Sequence, residues 1–162
     1  MVNELVQKAL MLRKEGALKK SNVLFSFLVK EFPDDAFLNF QCAWSHDVLG
    51  EEANAVPFYE KAIRLGLSEK ELEKAIVGLG STYRTLGEYE KSRTVLLKGT
   101  KLFPNNKAIH VFYSMTLYNL GYYSEAMSIV LNCLADTTSN SDILSYRKAI
   151  NFYSNKLDCI WD

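Results

Sequence analysis

Four glycines, Gly16, Gly50, Gly87 and Gly121, recur at intervals of 34, 37 and 34 residues, each after one apolar segment and before the next. A period in this range marks a chain built from stacked supersecondary units, each too small to bury its own apolar face and completed by its neighbours. At 34 residues the unit is a helix-turn-helix. Pro33 and Pro104 follow the second helix of their units, where a residue unable to continue a helix is useful, and Leu67 and Thr138 hold the same place in the other two. The three extra residues of the middle interval lie around Ser68 to Lys74, where Ser68 and Glu71 form an S-x-x-E capping box ahead of an apolar run. The insertion therefore lengthens one helix by about a turn and leaves the stack in phase.

This pattern predicts nine helices, in four hairpins with one further helix from Asp142 to about Asp158. Asp34 or Asp35, Asn105 or Asn106, Ser124, and Ser141 or Asp142 are the expected helix caps. Pro57 is tolerable if its helix begins near Ala53 or Asn54, which puts it in or just past the first turn. Period-two alternation is absent, so strands are not expected.

Composition narrows the function. The 162 residues are 48% hydrophobic, ample for a continuous core in one domain, and 19 basic residues balance 19 acidic ones. Without net charge or a basic stripe the chain is not expected to bind nucleic acid. Residues 1–16 mix Glu4, Lys8, Arg13, Lys14 and Glu15 into their apolar positions, unlike an export signal. No later run approaches the roughly 18 to 20 apolar residues of a membrane span, so a soluble cytoplasmic protein is expected. Cys42, Cys133 and Cys159 are odd in number and lack C-x-x-C spacing, which points to buried free thiols rather than disulfides or a metal site.

The repeat motif asks for an apolar residue, then a small residue beside another apolar one, an aromatic, and later a small-x-x-x-aromatic stretch before proline. Ile76, Leu79, Gly80, Tyr83, Ser92, Leu96, Gly99 and Pro104 meet it in the third unit. Ala55, Tyr59 and Ala62 serve the second unit, and Ala126, Val130 and Cys133 the fourth. The first unit, with Lys8 at an apolar position, matches least, as a terminal cap does. These residues identify the chain as resembling tetratricopeptide repeat (TPR) proteins. Gln41 to Gly50, Ala55 to Leu67 and Gly78 to Tyr89 are similar to a small bacterial group, tetratricopeptide repeat family five. The resemblance implies an all-α, right-handed superhelical solenoid of four hairpins plus a C-terminal capping helix. It implies a single domain over 1–162, with repeats at about 2–35, 36–69, 70–106 and 107–140 and the cap at about 142–158. It also implies protein interaction, dimers among them, and no known reaction.

In such a stack the first helices line a concave groove, and their side chains form columns across repeats. One column holds Val6, Phe40, Val77 and Val111; a second holds Leu10, Trp44, Ser81 and Met115; a third holds Gln7, Gln41, Gly78 and Phe112. The groove is apolar, and Gly78, Gly80 and Ser81 are read either as close helix packing or as a notch for a partner's side chain. A fourth column, Arg13, Asp47, Arg84 and Tyr118, alternates in sign, which predicts an Asp47 bridge to Arg84 and to Arg13. That bridge is read as a structural ladder or as a clamp for a bound peptide. The expected partner surface is Phe37, Phe40, Trp44, Asp47, Lys74, Arg84, Phe112, Met115 and Tyr118. The lysine and asparagine clamp of chaperone-binding relatives is not reproduced: Val6 and Leu10 replace its first pair, and Lys74 lacks a second cation beside it.

Catalysis is not expected. Cys42, His46 and Asp47 could be imagined as nucleophile, base and orienter, but the register turns Cys42 and His46 toward the packing core. His46 with Asp47, Glu51 and Glu52 offers only one imidazole to a metal, and His110 reads as an ordinary helix residue. No metal or cofactor is therefore expected. The last helix carries Tyr146, Ala149, Ile150, Tyr153 and Leu157 as one apolar stripe suited to capping the fourth repeat. The tail Cys159, Ile160 and Trp161 either packs back on that repeat or exposes Trp161 as an anchor. The leading functional expectation is an adaptor holding a protein, peptide or helix in the groove. The alternative is a self-associating structural protein that uses the same aromatic surface as a homodimer interface.

Overall fold

A computed structural model describes residues 2–161, and among them the regular structure is helical throughout, in ten helices. Contacts divide the chain into two compact units, Met1–Glu88 and Tyr89–Asp162.

In the first unit, α1 (Val2–Lys14), α2 (Leu18–Glu31), α3 (Ala36–Asp47), α4 (Glu52–Leu65) and α5 (Glu69–Thr85) each pack on the helix before, and α5 also reaches α3. The amphipathic spacing decides which face goes inward. In α2 the buried residues Ser21, Phe25, Leu28 and Val29 fall on one stripe, and each large apolar side chain among them contributes about 1.5–3 kcal/mol of burial. Ala9, Ala43, Ala55, Ala62 and Ala75 are fully buried, so the helices approach closely at small side chains. The Ser21 hydroxyl, buried against α1, donates to the Ala9 carbonyl at 2.8 Å.

The hairpin turns explain the glycine period. Gly16, Gly50, Gly87 and Gly121 all have φ between +73° and +85°, left-handed backbone that only glycine adopts without strain. After each, the next N–H reaches back five residues to close the preceding helix: Ala17 to Leu12, Glu51 to His46, Glu88 to Tyr83 and Tyr122 to Leu117.

Helix starts follow the expected caps in part. Asp35 accepts from Leu38 N at 2.8 Å, Asn106 from Ile109 N at 3.3 Å, and the Ser68–Glu71 capping box is complete. Ser124 is not a cap, because its helix begins one residue earlier, after Tyr122. Neither Ser141 nor Asp142 caps the ninth helix; Asn140 does, accepting from the N–H groups of Asp142 and Ile143. Pro57 lies deeper than expected, in the second turn of a helix that starts at Glu52. Its solvent-facing side and missing N–H cost α4 one hydrogen bond there.

The second unit contains α6 (Tyr89–Leu102), α7 (Lys107–Asn119), α8 (Tyr123–Thr137), α9 (Ser141–Ser145) and α10 (Arg147–Tyr153). Leu96 of α6 and Ile109 and Leu117 of α7 are fully buried, and Ser92 and Thr116 share a buried hydroxyl hydrogen bond of 2.8 Å across α6 and α7. The continuous helix expected over 142–158 is instead broken at Tyr146 (φ −103°, ψ 7°) and ends at Tyr153. The break lets the chain double onto α8, where Arg147 Nε donates to the Ala135 carbonyl at 2.9 Å and Ser124 donates to the Asp158 carboxylate.

Candidate partner-binding surfaces

In the first unit, α1 and α3 bring Arg13 over Trp44. The guanidinium carbon stands 4.6 Å from the Trp44 ring centre and 4.9 Å from that of Phe25, while Nη1 and Nη2 donate to the side chain and the carbonyl of Gln41 at 2.8 and 2.9 Å. Burial lowers the Arg13 pKa, yet a guanidinium stays charged at neutral pH, so the ring contacts are cation–π. Nε of Arg13 is buried without a hydrogen-bond partner. Trp44 itself is half-buried, held flat by this cation and by Phe40, 6.0 Å away.

Arg13 is thus committed to Gln41, and its expected bridge to Asp47 is not formed. Asp47, half-buried at the end of α3, accepts from the Tyr59 hydroxyl of α4 and the Thr82 hydroxyl of α5, each at 3.1 Å. Burial raises its pKa against the downward pull of those two hydrogen bonds. This carboxylate fastens three helices together, a structural use rather than a free clamp.

Three further expectations resolve in this unit. Phe40, expected to line the groove, is only 2% exposed and packs between Trp44 and Tyr59, so it is core. The small-residue gap at Gly78 is filled from within: a Cβ there would lie 2.5 Å from Cζ and Oη of Tyr59. Cys42 is fully buried, and loss of solvent pushes its thiol up to about 11, unsuited to nucleophilic work. His46 stacks on Phe58 with rings 4° from parallel, and its Nδ1 lies 2.7 Å from the Glu51 carboxylate. Of the remaining expected site residues, Phe37 is half-buried against the core, Arg84 is half-buried in the last turn of α5, and Lys74 is exposed.

In the second unit, α7 presents Phe112 half-buried, Met115 42% exposed and Tyr118 62% exposed. Tyr118 meets Tyr123 of α8 edge-on at 5.0 Å. Between α7 and α8 lies a shallow cleft of about 420 Å³, walled by Val111, Phe112, Val130 and Leu134 and edged by Lys107 and Thr137. Lys107 Nζ pairs with Asp136 at 2.7 Å, which raises the lysine pKa and lowers that of the aspartate. The α8 wall escaped the column reading, which followed first helices only, although Tyr123, Met127, Val130 and Leu134 recur at four, three and four. Cys159, expected to be buried, is exposed. Trp161 rests on Phe152 and Tyr153 of the C-terminal segment at 5.9 and 6.3 Å and stays 60% exposed.

Among the described residues no three His, Cys, Asp or Glu side chains cluster as a metal site, and no helix is long and apolar enough to cross a membrane. Paired helices closed by left-handed glycines, with aromatic and cationic side chains on their first helices, define a helical-repeat protein. A family model, the tetratrico peptide repeat, matches residues 36–157, and the chain belongs to that family. Its fold is similar to that of YrrB, described as a TPR protein with an unusual peptide-binding site: 17% identity, TM-score 0.71, covering 94% of this chain and 80% of YrrB. MamA is similar at 15% identity and TM-score 0.69, with 95% of this chain and 79% of MamA covered. A chain of the APC/C Cut9–Hcn1 hetero-tetramer aligns at 16% identity and TM-score 0.76 over 93% of this chain and 30% of its own length. At these identities the likeness is one of fold. No curated protein matches the sequence. The TPR fold is in general a non-catalytic protein-interaction fold, and it suggests protein partners in general.

Proposed function

We propose that this chain is a non-catalytic adaptor that holds a peptide or helix of another protein against the faces of its first helices. Phe37, Trp44, Lys74 and Arg84 serve in the first unit, and Phe112, Met115 and Tyr118 in the second. The observation that carries the reading is the Arg13–Trp44 pair: a half-exposed indole is pinned by a cation that Gln41 holds through both Nη groups. An aromatic anchor fixed in this way suits a peptide that brings one apolar side chain to it.

The test is selection from a displayed random-peptide library, followed by anisotropy titration of the enriched peptides, fluorescently labelled, against the chain and against its Trp44→Ala variant. Peptides binding at about 1–100 μM that lose at least tenfold affinity on Trp44→Ala support the reading. Absence of enrichment, or affinity indifferent to that change, refutes it. The second reading, a homodimer through the aromatic surface, draws on the exposure of Tyr118 and Tyr123. Sedimentation at micromolar concentration decides it: a dimer lost on Tyr118→Ser supports it, and a monomer excludes it.

A further inference from the structure

In the first unit the cleft between α3 and α4 is closed by α5. Phe40, Tyr59 and Ala62, which line it, are 0–2% exposed, and α5 makes room for the Tyr59 ring by carrying Gly78. The repeat register puts Val111, Val130 and Cys133 at the same positions of α7 and α8. Among the described residues no helix of comparable length follows there: α9 has 5 residues and α10 has 7, against 17 in α5. The C-terminal segment is fastened to α8 at Ser124 and Ala135, which share one helical face, whereas Val130 lies about 120° around the axis. Val130 and Leu134 consequently remain 39% and 41% exposed beside an open cleft.

We propose that this cleft binds, in trans, an amphipathic α-helix of a partner protein, laid on α7 and α8 as α5 is laid on α3 and α4. The stacking interface inside the chain gives the chemistry of the occupant. Where the first unit fills space with the Tyr59 ring and meets it with glycine, the second offers the smaller Val130, so the partner supplies the bulk: a leucine or phenylalanine at the position of Gly78. Orientation follows likewise. Only residues 66–68 separate the end of α4 from the start of α5, and the two helices pack on each other, so they run antiparallel and the first turn of α5 lies by the end of α4. The partner's first turn then falls by Thr137 and Lys107, where an acidic residue suits its own helix dipole and shares the lysine ammonium that Asp136 already holds at 2.7 Å. This cleft shares Phe112 with the partner-binding residues proposed above but does not involve Trp44, so its test does not depend on that anchor.

The probe is a fluorescent peptide of residues 69–85 carrying Gly78→Leu and stapled through positions 70 and 74, where the native lysines are exposed. Such a peptide cannot replace α5 in the first unit, because its side chain would collide with Tyr59. Anisotropy titration against the full chain is expected to give a Kd of tens of micromolar, at least tenfold tighter than the same peptide with Gly78. Leu134→Glu, and independently Val130→Lys, should each weaken binding at least tenfold with the circular dichroism spectrum unchanged, while Trp44→Ala leaves it intact. Absence of binding, equal binding to the Leu134→Glu chain, or a preference for the glycine peptide overturns the proposal. So does a micromolar dimer of the free chain that dissociates on Leu134→Glu, which would make a second copy the occupant.

Discussion

Replacing Gly78 with alanine sets two effects of opposite sign against each other. Helix propensity alone makes Gly78→Ala stabilising by about 0.5–1 kcal/mol, since the position is mid-helix in α5. The added methyl, however, lies 2.5 Å from Cζ and Oη and 2.8 Å from Cε1 of Tyr59. That ring cannot swing aside cheaply: it is 2% exposed, lies 6.3 Å from the Phe40 ring, and its hydroxyl donates to Asp47. Overpacking of this kind costs about 1–3 kcal/mol, and displacing a hydrogen bond to a carboxylate adds up to about 1.5–3 kcal/mol. The expected outcome is net destabilisation of about 1–4 kcal/mol, read as a lower urea midpoint at unchanged slope and a melting temperature reduced by about 2–4 °C per kcal/mol. On a Tyr59→Leu background the clash partner is gone, so the same substitution should be neutral or stabilising, giving a coupling energy above about 1 kcal/mol. A wild-type chain stabilised by Gly78→Ala would refute the packing argument and return the gap to the notch reading.

Thiol labelling at pH 7.5 should find one fast cysteine, Cys159, removed by Cys159→Ser, while Cys42, held near 11 by burial, reacts only on unfolding; a second fast thiol contradicts the core packing. Asp47→Asn should alter the pH profile of stability. The native pKa is raised above the unfolded value, so the folded chain binds the extra proton, and wild-type stability falls as pH rises from the unfolded pKa through the folded one. The difference between wild type and Asp47→Asn urea midpoints should show that slope in acid and flatten at neutral pH; a flat difference throughout contradicts it. Ser68→Ala removes the capping-box acceptor for Glu71 N and should lower stability by about 0.5–2 kcal/mol in the same assay, with no effect pointing to a frayed first turn of α5.

The fold was legible in the sequence wherever a backbone conformation demanded a residue type. Left-handed turns require glycine, so the period of Gly16, Gly50, Gly87 and Gly121 located the hairpins, and the Ser68–Glu71 box located the longer fifth helix. The C-terminal segment lacked such a constraint. Its apolar residues at 146, 149, 150, 153 and 157 satisfy a helical period, but periodicity cannot register that Arg147 finds the Ala135 carbonyl and that Asn140 restarts the chain two residues after Thr138. Caps chosen by type alone erred for the same reason at Ser124, since the side chain must stand at the boundary to accept the first N–H groups.

The candidate surface was less legible because columns tell which residues share a face, not how deep each one sits. Phe40 and Trp44 are four apart on α3 and look equivalent, yet Tyr59 from α4 covers the first while Arg13 from α1 only pins the second. Alternating charge in a column likewise suggested an ionic ladder, but Asp47 had nearer donors in the hydroxyls of Tyr59 and Thr82, and Arg13 had the two oxygens of Gln41. In each case a side chain from a neighbouring helix, invisible to a single-column reading, took the contact first. The same reasoning gives weight to the exposed wall of α8: where Tyr59, Gly78 and Ala62 complete one another in the first unit, Val130 and Leu134 are left with no equivalent helix, so the pattern that hides one cleft is what leaves the other open.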